Sequence, residues 1–306
     1  MQPTIIFASN LTKRYGERVV VDGIDFEVRQ GECFGFLGPN GAGKSTIMRM
    51  IIGLTPRDGG KLSVLGRNVV PEDPAIAAQL GIVPQENNLD TDLEVGENLE
   101  VYCRYFGLTA KVREERIEQL LQFAQLSDRR HTPVHTLSGG MMRRLVIARS
   151  LVAQPKMVIL DEPTTGLDPQ ARHLIWQRLA KLKENGITLL LTTHYMEEAA
   201  RLCDRLLILD QGRILDQGSP ETLVRRHVEP EVLEVWGREG DRGLAELGTL
   251  GGRWERVGDT FYVYGFQLES VRQRVLEREG CSCLLRPANL EDVFLRLTGH
   301  DLGEGS

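Results

Sequence analysis

Three short stretches of this sequence combine residue types that handle phosphate. Gly38-Pro39-Asn40-Gly41-Ala42-Gly43-Lys44-Ser45 fits the spacing G-x-x-x-x-G-K-[ST] and lies between an apolar run and a helical one. Glycines in such a loop let backbone N–H groups turn inward around an anion, and the following helix N-terminus adds partial positive charge. Lys44 would reach the β- and γ-phosphates of a nucleotide, and the Ser45 hydroxyl would bind Mg²⁺. Met157-Val158-Ile159-Leu160-Asp161-Glu162 reads as a buried strand that ends in two carboxylates, a costly arrangement unless they meet a cation or do chemistry. Asp161 suits a Mg²⁺ contact, and Glu162 suits the general base that orients an attacking water. Leu137-Ser138-Gly139-Gly140-Met141 opens a further helical run and forms a second anion cradle on the same logic. One monomeric site needs one cradle, so the pair makes sense if each serves a different edge of a nucleotide.

Elements able to position these residues can be read around them. Cys33-Phe34-Gly35-Phe36-Leu37 is an apolar strand directly before the first loop, in a segment that is otherwise β-rich. Asp58-Gly59-Gly60 is turn chemistry, followed by a short strand at Lys61 to Val64. From about Leu93 to Leu126 the pattern is helical, with Ile117, Leu120, Leu121 and Ala124 on one face. From Met157 to Leu209, apolar strands alternate with helices, which signals a parallel sheet with crossover helices. Polar and basic composition with Pro220 and Pro230 marks a boundary, and the remainder mixes short strands with two helical runs. The final Gly303-Glu304-Gly305-Ser306 is expected to fray.

Bulk properties narrow the partners. At 306 residues, 41% hydrophobic and 26% charged, the chain can bury a core of one large domain and a small one. Its net charge of -6 argues against nucleic acid as a partner. No apolar run approaches the roughly 20 residues of a membrane-spanning helix, and the start, Met1-Gln2-Pro3-Thr4, lacks the pattern of a secretory signal. The scattered Cys33, Cys103, Cys203, Cys281 and Cys283 read as free thiols of a reducing compartment.

In motif order over about residues 4 to 220, the sequence resembles the ABC ATPase family. The resemblance implies an α/β P-loop NTPase: a RecA-like core with an antiparallel β subdomain and an inserted α-helical subdomain at about 86–150. The cassette would span 4–228, with a small α+β accessory domain at 229–306. ATP and Mg²⁺ would be bound by Gly38 to Ser45 together with Thr46, and Tyr15 matches the aromatic residue that stacks on adenine. Gln85, in Val83-Pro84-Gln85, matches the glutamine that joins Ser45 and Asp161 at the metal and faces the membrane partner. His194, in Thr192-Thr193-His194, matches the switch histidine on the γ-phosphate, which would act beside Glu162. Ser138, Gly139 and Gly140 match the signature that touches the nucleotide of a second ATPase subunit, and Asp168 matches the D-loop. The partners implied are a second copy and a separate integral-membrane permease, at the cytoplasmic face of the inner membrane.

Met141 stands where many members have Gln, with the Ser and Gly backbone intact. This Met, together with the ending Asn289-Leu290-Glu291-Asp292-Val293-Phe294-Leu295-Arg296-Leu297-Thr298-Gly299, resembles ATPases of exporters of the daunorubicin-resistance and nodulation-factor type. An importer ATPase and a soluble ABC protein of translation or repair are the alternatives. The second usually carries two cassettes or an inserted coiled coil, and this chain has neither. The tail's apolar spacing at Leu290, Val293, Phe294 and Leu297 says only that an amphipathic helix packs on something, the small domain's own core first, with a regulatory or dimer-bracing role as the alternative.

Overall fold

The computed structural model describes residues 2–237, 252–277 and 280–299, so the tail from Gly303 to Ser306 lies outside the described residues. The chain divides into two compact units, one ending at Gln217 and the other beginning at Gly218. The first is the α/β P-loop architecture expected above. Its central sheet has the strand order Arg213–Gly218, Arg205–Asp210, Cys33–Leu37, Thr188–Thr193, Met157–Asp161, Leu80–Val83. Pairing from Arg205–Asp210 to Leu80–Val83 is parallel. Every residue of Cys33–Leu37 and of Thr188–Thr193 is buried, as expected where helices cover both faces of a parallel sheet.

Strand register decides where the chemistry collects. Leu37 pairs with Thr193, and Asp161 with Thr192, so three adjacent strands end level with one another. The loops that leave their carboxyl ends carry Gly38–Lys44, Glu162 and His194, at the edge where open α/β sheets bind ligands.

A second, antiparallel sheet has the order Arg18–Arg29, Thr4–Tyr15, Gly59–Val64, Arg67–Asn68. Along Thr4–Tyr15, Ile6 and Ala8 are buried while Phe7 between them is exposed, the alternation of a sheet with one wet face. Phe26 from this sheet meets Phe36 edge-on at 5.3 Å, and Phe36 meets Phe34 at 5.7 Å. Each such pair is worth about 1 kcal/mol beyond its buried area, and the Phe26–Phe36 contact joins the two sheets in one core.

The helical stretch contains Val95–Tyr105, Ala110–Ala124 and Gly139–Ser150. The continuous pattern from Leu93 to Leu126 is split in two, with Gly107 in the left-handed region (φ 71°) between the first pair. Ile117, Leu120, Leu121 and Ala124 form the buried face of Ala110–Ala124.

The second unit is a four-stranded antiparallel sheet in the order Arg253–Val257, Thr260–Gly265, Glu231–Gly237, Cys281–Pro287. Helix Glu269–Leu276 seals one face, packing Val271 and Val275 over Leu233, Val235, Phe261 and Val263. The Pro220–His227 helix, ahead of the expected limit at residue 228, falls in this unit, where it packs against Leu290–Thr298. That last helix buries Leu290, Val293 and Phe294 and leaves Leu297 half-buried. It also buries Asp292, whose two carboxylate oxygens accept from Arg286 at 2.7 and 2.9 Å. The strands Arg253–Val257 and Arg213–Gly218 carry no sustained apolar run and Leu80–Val83 is only four residues long, and the sequence pattern did not reveal them. All five cysteines are free thiols.

Candidate functional site

The Gly38–Gly43 loop, the first candidate anion cradle, joins Cys33–Leu37 to the helix Lys44–Ile51. Gly43, at φ 102°, lies where a side chain would place its Cβ 2.6 Å from the Val20 carbonyl oxygen, so local conformation and space both demand glycine. The Lys44 side chain folds back over the loop, and its Nζ donates to the carbonyls of Gly38 (2.7 Å) and Pro39 (3.0 Å). It lies 3.9 Å from Glu162 Oε1. Burial pulls the Lys44 ammonium below its ordinary pKa, while Glu162 and Asp161 push it back up.

Asp161 and Glu162 separate at the end of their strand because the chain turns sharply there. Glu162 has φ 44°, a left-handed conformation costing roughly 1–2 kcal/mol for a non-glycine residue. Its N–H donates to the Thr192 hydroxyl (3.0 Å) and carbonyl (3.2 Å), which hold the turn. Backbone strain of this kind concentrates at functional positions. Asp161 stays in line with the strand and accepts from the Thr192 hydroxyl, and the Ser45 hydroxyl reaches it at 3.5 Å. The Glu162 carboxylate accepts from the Thr165 hydroxyl (3.0 Å) and from Gln85 Nε2 (3.5 Å). His194 Nδ1 lies 3.3 Å from Glu162 Oε1, without the alignment of a hydrogen bond. The neighbouring His194 is the largest influence holding Glu162 below the usual carboxylate range; burial opposes it, and Thr165 and Lys44 assist.

Tyr15, Arg18, Asn40, Lys44, Gln85 and Glu162 are among the walls of one cleft of about 500 Å³, which Gly41, Gly43, Ser45 and Thr46 help to line. Tyr15 stands half-exposed at its mouth, where a flat ligand has access to the ring. Gly38, Pro39 and Ala42 form the loop backbone behind it. Ser138, Gly139, Gly140 and Asp168 are not among the described residues that line this cleft. Ser138 caps Gly139–Ser150, its hydroxyl accepting from Met141 N at 3.3 Å. Asp168 caps Pro169–Glu184, accepting from Ala171 N at 2.8 Å. A side chain on Gly140 would lie 2.8 Å from Ala171 Cβ, so glycine there lets the two helix starts approach.

Two residues of the site escape motif reading. Arg143 is buried, with every guanidinium N–H on a main-chain oxygen, and burial drags its pKa down to about 10, which leaves it cationic at neutral pH. Glu198, fully buried, accepts from the Thr164 hydroxyl at 2.8 Å and from Trp176 Nε1 at 3.1 Å. Burial pushes its pKa up from 4.5. The folded state therefore keeps a proton that the unfolded chain has already released, and stability falls as pH rises above that value. Replacing Glu198 with Gln removes this dependence. The difference in melting temperature between Glu198→Gln and wild type should move in favour of the variant from pH 5 to pH 8. Parallel melting curves across that range would mean that Glu198 is ionised in the fold.

Residues 21–165 match the family described as ABC transporter, and residues 240–299 match the one described as the nodulation factor export protein NodI C-terminal domain. The chain is 47% identical to the Nod factor export ATP-binding protein I of Ralstonia nicotianae, covering 97% of this chain and 95% of that one. It is 48% identical to the protein of that name from Mesorhizobium japonicum, over 97% and 87% of the two chains. Among solved structures, it resembles an ATP-binding cassette of an ABC transporter in its ADP conformation, with TM-score 0.65 and 28% identity over 74% of this chain and 94% of that one. It also resembles a dimeric cassette in a post-hydrolysis state bound to ADP and Pi, with TM-score 0.63 and 27% identity over 70% and 98%.

Proposed function

This chain belongs to the ABC transporter ATPase family, in the branch of the Nod factor export ATP-binding proteins, and we propose that it drives a separate membrane permease by closing and opening as a homodimer around two ATP molecules. It is the ATP-hydrolysing subunit of an exporter. The observation that carries the dimer reading is the separation of the two anion cradles. Asn40, Gly41, Gly43, Lys44 and Ser45 of the first cradle line the cleft, whereas Ser138–Gly140 opens a different helix and is not among the residues that line it. Each cradle would then grip the nucleotide of the opposite copy.

Within one site the residues divide the work. Tyr15 offers a face for the adenine, and the loop N–H groups together with Lys44 hold the phosphates. The oxygen donors Ser45 and Asp161, 3.5 Å apart, fit Mg²⁺, which takes one or two protein oxygens and completes its shell with phosphate and water. Bound there, Mg²⁺ would neutralise charge on the bridging phosphate oxygens. Gln85, which lines the same cleft, would offer its side-chain oxygen to the metal. Glu162, kept ionised by its neighbours, accepts the proton of the attacking water. His194, beside it, contacts the terminal phosphate. Asp168, next to Ser138–Gly140, lies where two copies would meet.

The permease reading is supported by a largely apolar groove of about 310 Å³ that reaches Pro84, next to Gln85 in the chain, and is lined by Leu80, Ile82, Tyr102 and Phe106 together with Asn88 and Arg149. A helix of the permease seated there would sense the Gln85 turn. No helix among the described residues is long and apolar enough to cross a membrane. We place the chain at the cytoplasmic face of the inner membrane, held by its permease, with a lipo-chitooligosaccharide as cargo on the strength of its relatives. Tagged Glu162→Gln chain, captured from membranes with ATP, should bring down a stoichiometric polytopic membrane protein. Ribosomes, repair factors or an absence of any membrane protein would sink the transport assignment.

A further inference from the structure

Arg143 lies on the helix that Ser138 caps, one turn beyond the second anion cradle. A guanidinium has five N–H groups in a rigid fork. Here all five end on main-chain carbonyls. Nε donates to Pro163 at 2.7 Å, Nη1 to Pro84 at 2.5 Å and Gln85 at 3.2 Å, and Nη2 to Asp161 at 3.1 Å and Glu162 at 3.3 Å. These carbonyls belong to two segments: the Gln85 turn and the strained turn that carries Asp161 and Glu162. Three pieces of chain remote in sequence therefore meet on one buried cation. The phosphate loop is not among its partners; Lys44 and the Gly38 and Pro39 carbonyls are tied to each other instead.

We propose that Arg143 is a positioning residue that links the Ser138 helix to the main chain behind Gln85 and Glu162. Engagement of a nucleotide at Ser138–Gly140 of one copy thereby sets the hydrolytic groups of that same copy's own site. This rests on the dimer reading above, in which Ser138–Gly140 serves the nucleotide of the opposite copy. The link makes the two sites interdependent. When Ser138–Gly140 closes on one nucleotide, its helix moves as a rigid body, and the fork carries the Glu162 turn with it. Only a fork can do this, because a single ammonium cannot span carbonyls on both segments. Arg143 touches no reacting atom; its effect runs entirely through the backbone of the residues that do.

The test uses the full-length chain with Arg143→Lys, which keeps the buried charge, and Arg143→Gln, which keeps hydrogen bonding without charge. The expected result for Arg143→Lys is a fall in kcat on the order of 10–100-fold, the cost of misplacing reacting groups by about an ångström. KM for ATP stays as in wild type, because the phosphate loop is untouched. The Hill coefficient of hydrolysis falls towards 1, since one nucleotide no longer informs the other site. A purely structural role would leave the Hill coefficient in place or weaken ATP binding along with turnover, and either result overturns the proposal. So does wild-type turnover in Arg143→Lys, or aggregation of both variants, which assigns Arg143 to folding alone. Ser138→Ala in the otherwise wild-type chain is the control on the underlying reading. If it leaves hydrolysis unchanged, the dimer reading fails; if it abolishes hydrolysis while Arg143→Lys behaves as wild type, only the link fails.

Discussion

Replacing Glu162 with Gln leaves ATP binding intact and slows hydrolysis on the order of 10²–10⁴-fold, the usual worth of a positioned general base. The amide has the shape of the carboxylate, so the Thr165 hydroxyl and Gln85 keep a partner within reach. What disappears is the capacity to take a proton. The carboxylate is prepared for that task by its surroundings, since His194, Thr165 and Lys44 all favour the ionised form. The turn at φ 44° and the two contacts to Thr192 hold the side chain in place in either version. Removing a negative charge beside the phosphates also favours nucleotide retention, so the variant should accumulate as an ATP-bound dimer in size-exclusion chromatography. Turnover close to wild type would remove Glu162 from the role of base.

Replacing Lys44 with Ala weakens nucleotide binding itself, by on the order of 10²-fold. Charge-assisted hydrogen bonds contribute about 1.5–3 kcal/mol each, and about 1.4 kcal/mol is tenfold in affinity. Two further terms push in the same direction. The Gly38 and Pro39 carbonyls lose their donor and face the incoming phosphates with unpaired lone pairs. Asp161 and Glu162 lose the cation beside them and repel the triphosphate. Titration of the purified chain with a fluorescent ATP analogue measures the effect, and unchanged affinity would contradict the loop assignment. The contrast between the variants separates the two roles: Lys44→Ala acts on binding and Glu162→Gln on chemistry.

Most of the residues that sequence reasoning reached share a property: they are marked by their immediate neighbours. Gly38 to Ser45 is contiguous because a loop wrapped round one phosphate is a local object, so its glycine spacing is written along the chain. Asp161 and Glu162 stand out because two acids follow a buried apolar run. Ser138-Gly139-Gly140 is a helix start of recognisable composition. Gln85, Asp168, His194 and Tyr15 carry little signal by themselves and were reached through motif order. The parallel α/β core was legible for the same local reason, since fully buried strands alternate with helical periods. The edge strand Arg213–Gly218 mixes apolar with charged and polar residues, and Leu80–Val83 is too short for its apolar residues to show a period.

By itself, then, the sequence determined the phosphate chemistry, the fold class and the kinship to a transport ATPase, because all three rest on side-chain identity at short range. Tertiary structure alone decided which groups act together. Level strand ends bring Lys44, Asp161, Glu162 and His194 to one edge, and that depends on register between strands up to about 150 residues apart. Arg143 is the clearest case. Its five acceptors are backbone carbonyls, which every residue presents alike, so no pattern of residue types could mark them. Only the folded path of the chain assembles those oxygens around one guanidinium.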